Sequence, residues 1–352
     1  MQIGIKEQRE LKGIAIIGMM MLHFWGYPEW ITPENGLVSI LPVNLYVALG
    51  KFGNVCVSIF AIISGYSFFI VSEKWDSLKY RMKKLVSFLA EYWVYVALFL
   101  LVGFLMKDIM PSPLQLLLSL FGIEVSIEAS YVCVPFAWYV SFYITTLLLY
   151  PIIKRIWGGT LQSDILFSLI SYCLLKILRC LTRDYYGIGF FFFRENTLIM
   201  VILGFCLAKY DVFQRLGEQR TGNKKRFILL NISTIIILAI LKVTCNDYLE
   251  DWWGGIYTIY IIYFVLRGYL QKVKIIEKLL EILGRYSMGM WFVSGIFYQN
   301  EILQKLAFFA KRPILVLVWV TTLSFMVSFI FTNVFNIIEK YLINRNRNTH
   351  FE

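Results

Sequence analysis

Two histidines occur in the chain, His23 and His350, and only His23 lies inside an apolar stretch. Imidazole is the side chain whose ordinary pKa lies nearest neutrality, so a proton transfer within the apolar part of the molecule would fall to His23. The same residue equally suits a packing role, hydrogen bonding a carbonyl near the end of its segment. Few other charges share such surroundings: Lys51, Glu91 and the Arg194-Glu195-Asn196 triplet lie in or at the edge of apolar runs. Charges there are costly unless paired or facing water, which makes each a functional candidate. Arg194 and Glu195 would point about 100° apart on a helix, so their partners are expected on other segments. A carboxylate, Glu195 or Glu91, orienting His23 is one arrangement these residue types allow, and a buried ion pair that fixes packing is the other. The basic run Lys79-Tyr-Arg81-Met-Lys83-Lys84 reads either as an anchor at a membrane surface or as cations placed for a phosphate-bearing ligand.

The elements that must position these groups are set by composition. The chain has 352 residues, 59% hydrophobic and 16% charged, against about 45–50% and 25% in an ordinary soluble domain. Its mean hydropathy of +0.66 excludes a disordered chain and most water-soluble enzymes. The net charge of +11 is carried by short clusters between apolar runs, which points to membrane topology and anionic headgroups and not to nucleic acid. The six cysteines form no C-x-x-C pair and have no nearby histidine, so they read as small packing residues, and no metal site is expected.

A span needs about 20 apolar residues. Ten segments qualify, near 11–28, 46–71, 85–106, 132–153, 163–181, 189–208, 227–244, 252–270, 281–299 and 313–338. With the N-terminus inside, lysines and arginines fall on the inner connections about two to one, which supports ten spans with both termini cytoplasmic. Lys311-Arg312 at an outer end departs from that pattern. The fold class is therefore all-α: a polytopic helix bundle forming one domain over 1–352 with no separate soluble part. The first run ends in His23-Phe24-Trp25 and lacks a small-residue cleavage site, so it is expected to be a retained span. The outer connection 107–131, with Pro111 and Pro113 before a short apolar stretch, suits an interfacial amphipathic helix. Trp25, Trp30, Trp157, Trp252 and Trp253 near span ends suit interface anchors.

Six stretches, taken in order, resemble the acyltransferase-3 family of integral membrane acyltransferases. Glu10-Leu-Lys12 through His23-Phe-Trp resembles its first span, in which a basic residue precedes a histidine by eleven positions. Val57 through Ser64-Gly65-Tyr66 resembles its second, and Arg81-Met-Lys-Lys84 with Glu91-Tyr92-Trp93 resembles the opening of its third. Phe136-Ala-Trp138-Tyr139 through Tyr150-Pro151, Leu203-Gly204, and Leu283-Gly284-Arg-Tyr-Ser287-Met-Gly-Met-Trp291-Phe are similar to its later motifs. The chain departs from the family in two places. Val293-Ser294-Gly295 stands where many members carry a histidine, and Phe24 stands where some carry a second one after the first.

The resemblance implies an O-acyltransferase that moves an acyl group, usually acetyl, from cytosolic acyl-CoA to a hydroxyl of a cell-surface or lipid-linked glycan. It implies a multi-pass protein of a bacterial plasma membrane, with the glycan acceptor and membrane lipids as partners and acyl-CoA as the donor substrate. On this reading His23 is the general base, and Lys12, Arg81 and Lys84 attract the CoA phosphates. Ser64, Trp138 and Tyr139 shape the cavity. Lys12 and His23 lie about 16 Å apart along a helix axis, much of the way through a core of about 30 Å. A covalent route through Ser64 or a cysteine finds no base at recognisable spacing. Two other classes fit the same composition: an exporter of a glycan or small anionic solute, with Lys51, Arg194 and Glu195 along its path, and a catalytically idle relative. The chain shows no repeated halves of the kind many transporters carry.

Overall fold

A computed structural model describes residues 2–27, 42–106, 111–123, 134, 137–157, 159–186, 195–218, 229, 232–234, 236–237, 240, 246–266, 273–299 and 301–348. The described residues are predominantly helical, with no strand among them. Its helices are α1 (Ile5–Trp25), α2 (Val43–Phe52), α3 (Val55–Ile70), α4 (Ser72–Asp76), α5 (Leu78–Leu105), α6 (Pro113–Ser119), α7 (Trp138–Ile156) and α8 (Leu161–Tyr186). There follow α9 (Glu195–Lys209), α10 (Val212–Glu218), α11 (Asn246–Leu266), α12 (Lys274–Arg285), α13 (Ser287–Gln299), α14 (Glu301–Ala307) and α15 (Pro313–Asn348). Among the described residues four stretches are long and apolar enough to cross a bilayer: Val43–Ile70, Leu78–Leu105, Leu161–Leu178 and Pro313–Ile337, with shorter apolar helices at Asn196–Lys209, Gly254–Leu266 and Ser287–Phe297. An all-α membrane bundle is thus what the sequence folds into. Of the expected seventh span, 227–244, the described residues are 229, 232–234, 236–237 and 240, all of them helical.

The central helix is α1, which packs against α2, α3, α11, α12, α13 and α15. Apolar side chains gain nothing by leaving lipid for protein, so helices in a bilayer associate through close backbone approach and hydrogen bonds. Both devices are present. A Cβ on Gly13 would stand 2.2 Å from the Leu280 carbonyl oxygen, and one on Gly284 1.8 Å from that of Arg9. The α1–α12 contact is therefore backbone on backbone, and the Lys6–Glu277 and Arg9–Glu281 ion pairs close the end nearest the start of α1. Gly65 and Gly204 bring α3 and α9 together in the same way, with Cβ positions 1.8 Å from the Val201 oxygen and 2.0 Å from the Ile62 oxygen. Gly65→Val is expected to destabilise the protein by at least the ~1–3 kcal/mol of an overpacked core, because a backbone oxygen cannot rotate away. Yield and thermal midpoint of the detergent-purified variant measure this, and an unchanged midpoint would show that the two helices are free to separate.

The outer sides of the bundle remain apolar, as with Ile165 at 53% and Leu174 at 61% exposure on α8, and are covered by lipid tails.

Four expectations change. The last-but-one span does not run unbroken from 281. The helix breaks at Tyr286, where Ser287 Oγ donates to the Gly284 carbonyl at 3.0 Å and Ser328 Oγ donates to that of Tyr286 at 2.9 Å. The fourth span begins as a helix only at Trp138. The described part of 107–131 does not lie flat at the interface. Its helix α6 is started by Pro113 and a Ser112/Gln115 capping box. Its far end meets the middle of α5, where Tyr92 OH donates to the Ser119 carbonyl and Trp93 Nε1 to that of Leu120, each at 2.8 Å. That point lies about 20 Å along the axis from Leu105, so the segment re-enters the bundle. Finally, Trp25 and Trp157 are buried clamps, with Nε1 atoms donating to the Pro313 carbonyl at 3.0 Å and to Ser168 Oγ at 2.8 Å. The side chains of Trp30, Trp252 and Trp253 lie outside the described residues.

Candidate active site

Lys12 and His23 both sit on α1. Eleven steps of about 100° return close to the same side of a helix, so the two look into one sector about 16 Å apart along the axis. His23 is buried near the C-terminal end of α1. Its Nδ1 lies 3.4 Å from Ser294 Oγ on α13, and the Ser294 hydroxyl donates to the Trp291 carbonyl at 2.7 Å. Next along α1, Phe24 packs edge-on against Phe297 and Phe308 at 6.4 and 6.2 Å. Phe24 thus belongs to an apolar seal over the histidine.

One turn along α13 from Ser294, the Trp291 ring stacks on Phe60 at 5.5 Å and meets Tyr139 at 5.0 Å and Trp138 at 6.3 Å. The Tyr139 hydroxyl lies near the Ser64 side chain, and Ser64 Oγ donates to the Phe60 carbonyl at 2.8 Å. Three residues expected from sequence, Ser64, Trp138 and Tyr139, therefore converge on one aromatic chamber, held by α3 on one side and α7 on the other. The re-entrant segment backs it: a Cβ on Gly122 would lie 2.4 Å from the Ala137 oxygen at the head of α7, and Gly122 itself has φ +64°. Trp291 is 6% exposed, and its Nε1 has no hydrogen-bond partner among the described residues. A buried donor left without an acceptor costs about 1–3 kcal/mol, and an acceptor oxygen on a bound molecule would remove that cost.

Below the chamber, toward the N-terminal end of α1, Glu91 lies within electrostatic reach of Lys12. The described side chain at His23 Nδ1 is Ser294. Arg81, about 15 Å from Glu91 along α5, is half-buried with an Nε that has no partner among the described residues. Lys84 is exposed, its Nζ over the Tyr80 ring at 5.7 Å, so the structure does not bring it to the chamber. Lys51 is also exposed. Arg194, the side chain of Glu195 and His350 lie outside the described residues, as do Cys133 and Cys245. Cys56 is buried as a packing residue, whereas Cys173 and Cys180 on α8 are exposed along its length. Among the described residues no three His, Cys, Asp or Glu side chains converge as a metal site would require.

Sequence reasoning missed two members of this site. Ser294 was noticed only as the place of an absent histidine, and Trp291 only as part of a motif. The signal for Ser294 was that same departure, a hydroxyl at a position where relatives carry a hydrogen-bonding ring.

An acyltransferase domain model matches residues 11–333. No curated relative and no solved structure matches the chain at a significant level. The match takes in both ends of the site, from Lys12 to Trp291 and Ser294, and nearly the whole bundle that holds them. The chain is a membrane acyltransferase and belongs to the acyltransferase-3 family.

Proposed function

We propose that the protein transfers an acyl group, most simply acetyl, from cytosolic acyl-CoA to a hydroxyl of a cell-surface or lipid-linked glycan at a bacterial plasma membrane. The observation that supports this reading is that Lys12 and His23 share one side of α1, while the Trp291 ring, one turn of α13 from the Ser294 that meets His23, gathers Phe60, Trp138 and Tyr139 around it. Cations at the inner side suit the phosphates of CoA, while the apolar chamber suits the uncharged pantetheine arm and its thioester.

In the reaction the acceptor hydroxyl oxygen attacks the thioester carbonyl carbon, and His23 takes the hydroxyl proton. As the tetrahedral centre collapses, the C–S bond breaks and the departing CoA sulfur receives a proton from the imidazolium. Negative charge gathers on the carbonyl oxygen during attack, and the Trp291 N–H is the buried donor available to it. Tyr139, packed against Trp291 and Phe60, and Ser64, tied to the Phe60 carbonyl, form the wall beside that donor.

The test is mass spectrometry of the host's surface glycans after deletion of the gene and after its restoration. An acetyl-sized mass is expected to disappear and then return. A glycan of unchanged mass but altered surface abundance would overturn the reading in favour of export.

A further inference from the structure

We infer that Ser294 is a positioning residue that fixes the tautomer of His23, so that Nδ1 carries the hydrogen and Nε2 the lone pair that receives the acceptor's proton. The inference rests on the acyl-transfer reading above for its consequence, and on geometry for its content. A neutral imidazole has one donor and one acceptor nitrogen, and the neighbour bonded to one of them decides which is which. Ser294 Oγ is 0% exposed and can turn its single hydrogen in one direction only. That hydrogen is committed to the Trp291 carbonyl at 2.7 Å, within the same helix. What Ser294 Oγ presents to His23 Nδ1 at 3.4 Å is therefore a lone pair. An N–H at Nδ1 satisfies it, whereas a bare Nδ1 would set two lone pairs against each other. The contact is long, as such contacts often are in an unliganded enzyme, and shortens in the reacting complex.

The arrangement differs from an orienting carboxylate. A serine fixes the ring without adding a charge to an apolar site, and so avoids the desolvation that a carboxylate would suffer there. It also explains how the chain dispenses with a late-span histidine: at that position it needs an acceptor for Nδ1–H, which a hydroxyl supplies.

The experiment uses the full chain in nanodiscs with its two histidines carrying an isotopic nitrogen label. His350→Gln assigns the tail signal, and the remaining ring nitrogens belong to His23. In the wild type the Nδ1 shift is expected in the protonated range and the Nε2 shift in the lone-pair range. Ser294→Ala removes the acceptor, and Ser294→Cys keeps the volume while offering only a weak one, which guards against a simple packing defect. Both are expected to move the ring toward the Nε2-protonated form. Both should also lower kcat by about 10- to 100-fold, the range for loss of a partner that orients a functional histidine, with KM for acetyl-CoA little changed. CoA release with the host's surface glycan as acceptor reports the rate.

A wild-type ring already protonated at Nε2 would overturn the inference, as would variants that leave the tautomer unchanged. A shifted tautomer with an unchanged rate would overturn the positioning role. The shifts are read without substrate, so their outcome is separate from that of the glycan experiment, whose failure would remove the acyl-transfer reading alone.

Discussion

His23→Ala is expected to lower acyl transfer by about 10²–10⁴-fold, the usual contribution of a general base, in a protein that still inserts and purifies. The rate falls because the only other histidine of the sequence, His350, stands near its end, and the described side chain at His23 Nδ1 is the hydroxyl of Ser294, which cannot replace an imidazole as a base. The fold survives because Ser294 keeps its bond to the Trp291 carbonyl when the ring is gone, so no new unsatisfied donor is buried. Phe24 also retains its contacts with Phe297 and Phe308. His23→Gln fills more of the cavity and keeps hydrogen-bonding capacity but cannot accept and return a proton near neutral pH. Loss of turnover in both variants at wild-type thermal midpoint would locate the defect in chemistry. Full activity in a well-expressed His23→Ala variant would remove the base from the mechanism.

The largest structural effect is expected at the joint of α7, α8 and α9. Lys209 Nζ donates to the carbonyls of Trp157 at 2.9 Å and Gly159 at 2.6 Å, and to Asp164 Oδ2 at 2.6 Å. Tyr210 OH donates to the same Asp164 oxygen at 2.8 Å. The side chains are 14% and 1% exposed for Lys209 and Asp164, so this pair is not one of the solvated surface pairs worth ~0–1 kcal/mol. Removing one partner of a buried pair strands the other, at a cost of about 3–5 kcal/mol. Asp164→Ala and Lys209→Met should each lower the thermal midpoint markedly. Combining them should recover part of the loss, since neither charge is then stranded. The readout is thermal unfolding of detergent-purified protein together with turnover per folded molecule, which should stay near wild type because the joint is not in contact with the aromatic chamber. Two single variants at wild-type stability would show that the pair contributes nothing to the fold.

Much of this molecule is legible one segment at a time. Hydropathy marked the helices because a backbone in lipid must satisfy its own hydrogen bonds within each segment, and α5 and α15 lie close to where the apolar runs place them. The spacing of Lys12 and His23 put both on one side of α1 before any neighbour was known. The ordered motifs identified the family, and Ser64, Trp138 and Tyr139 do converge. Composition was less informative where an apolar residue has two possible fates. Trp25 and Trp157 sit near span ends, as interface anchors do, yet each spends its N–H on another helix.

By itself, then, the sequence determined a helical membrane acyltransferase and put Lys12 and His23 on one helix, because those properties follow from rules that act within a segment. Only the tertiary structure decided what faces His23. Ser294 is 271 residues away from His23, Glu91 lies within electrostatic reach of Lys12, and the segment after α5 folds back along that helix instead of resting at the interface. The physical reason is that lipid-facing and protein-facing surfaces are equally apolar. Which helix meets which is therefore set by a few glycine contacts and hydrogen bonds between residues far apart in the chain, and no periodicity along a single segment encodes them.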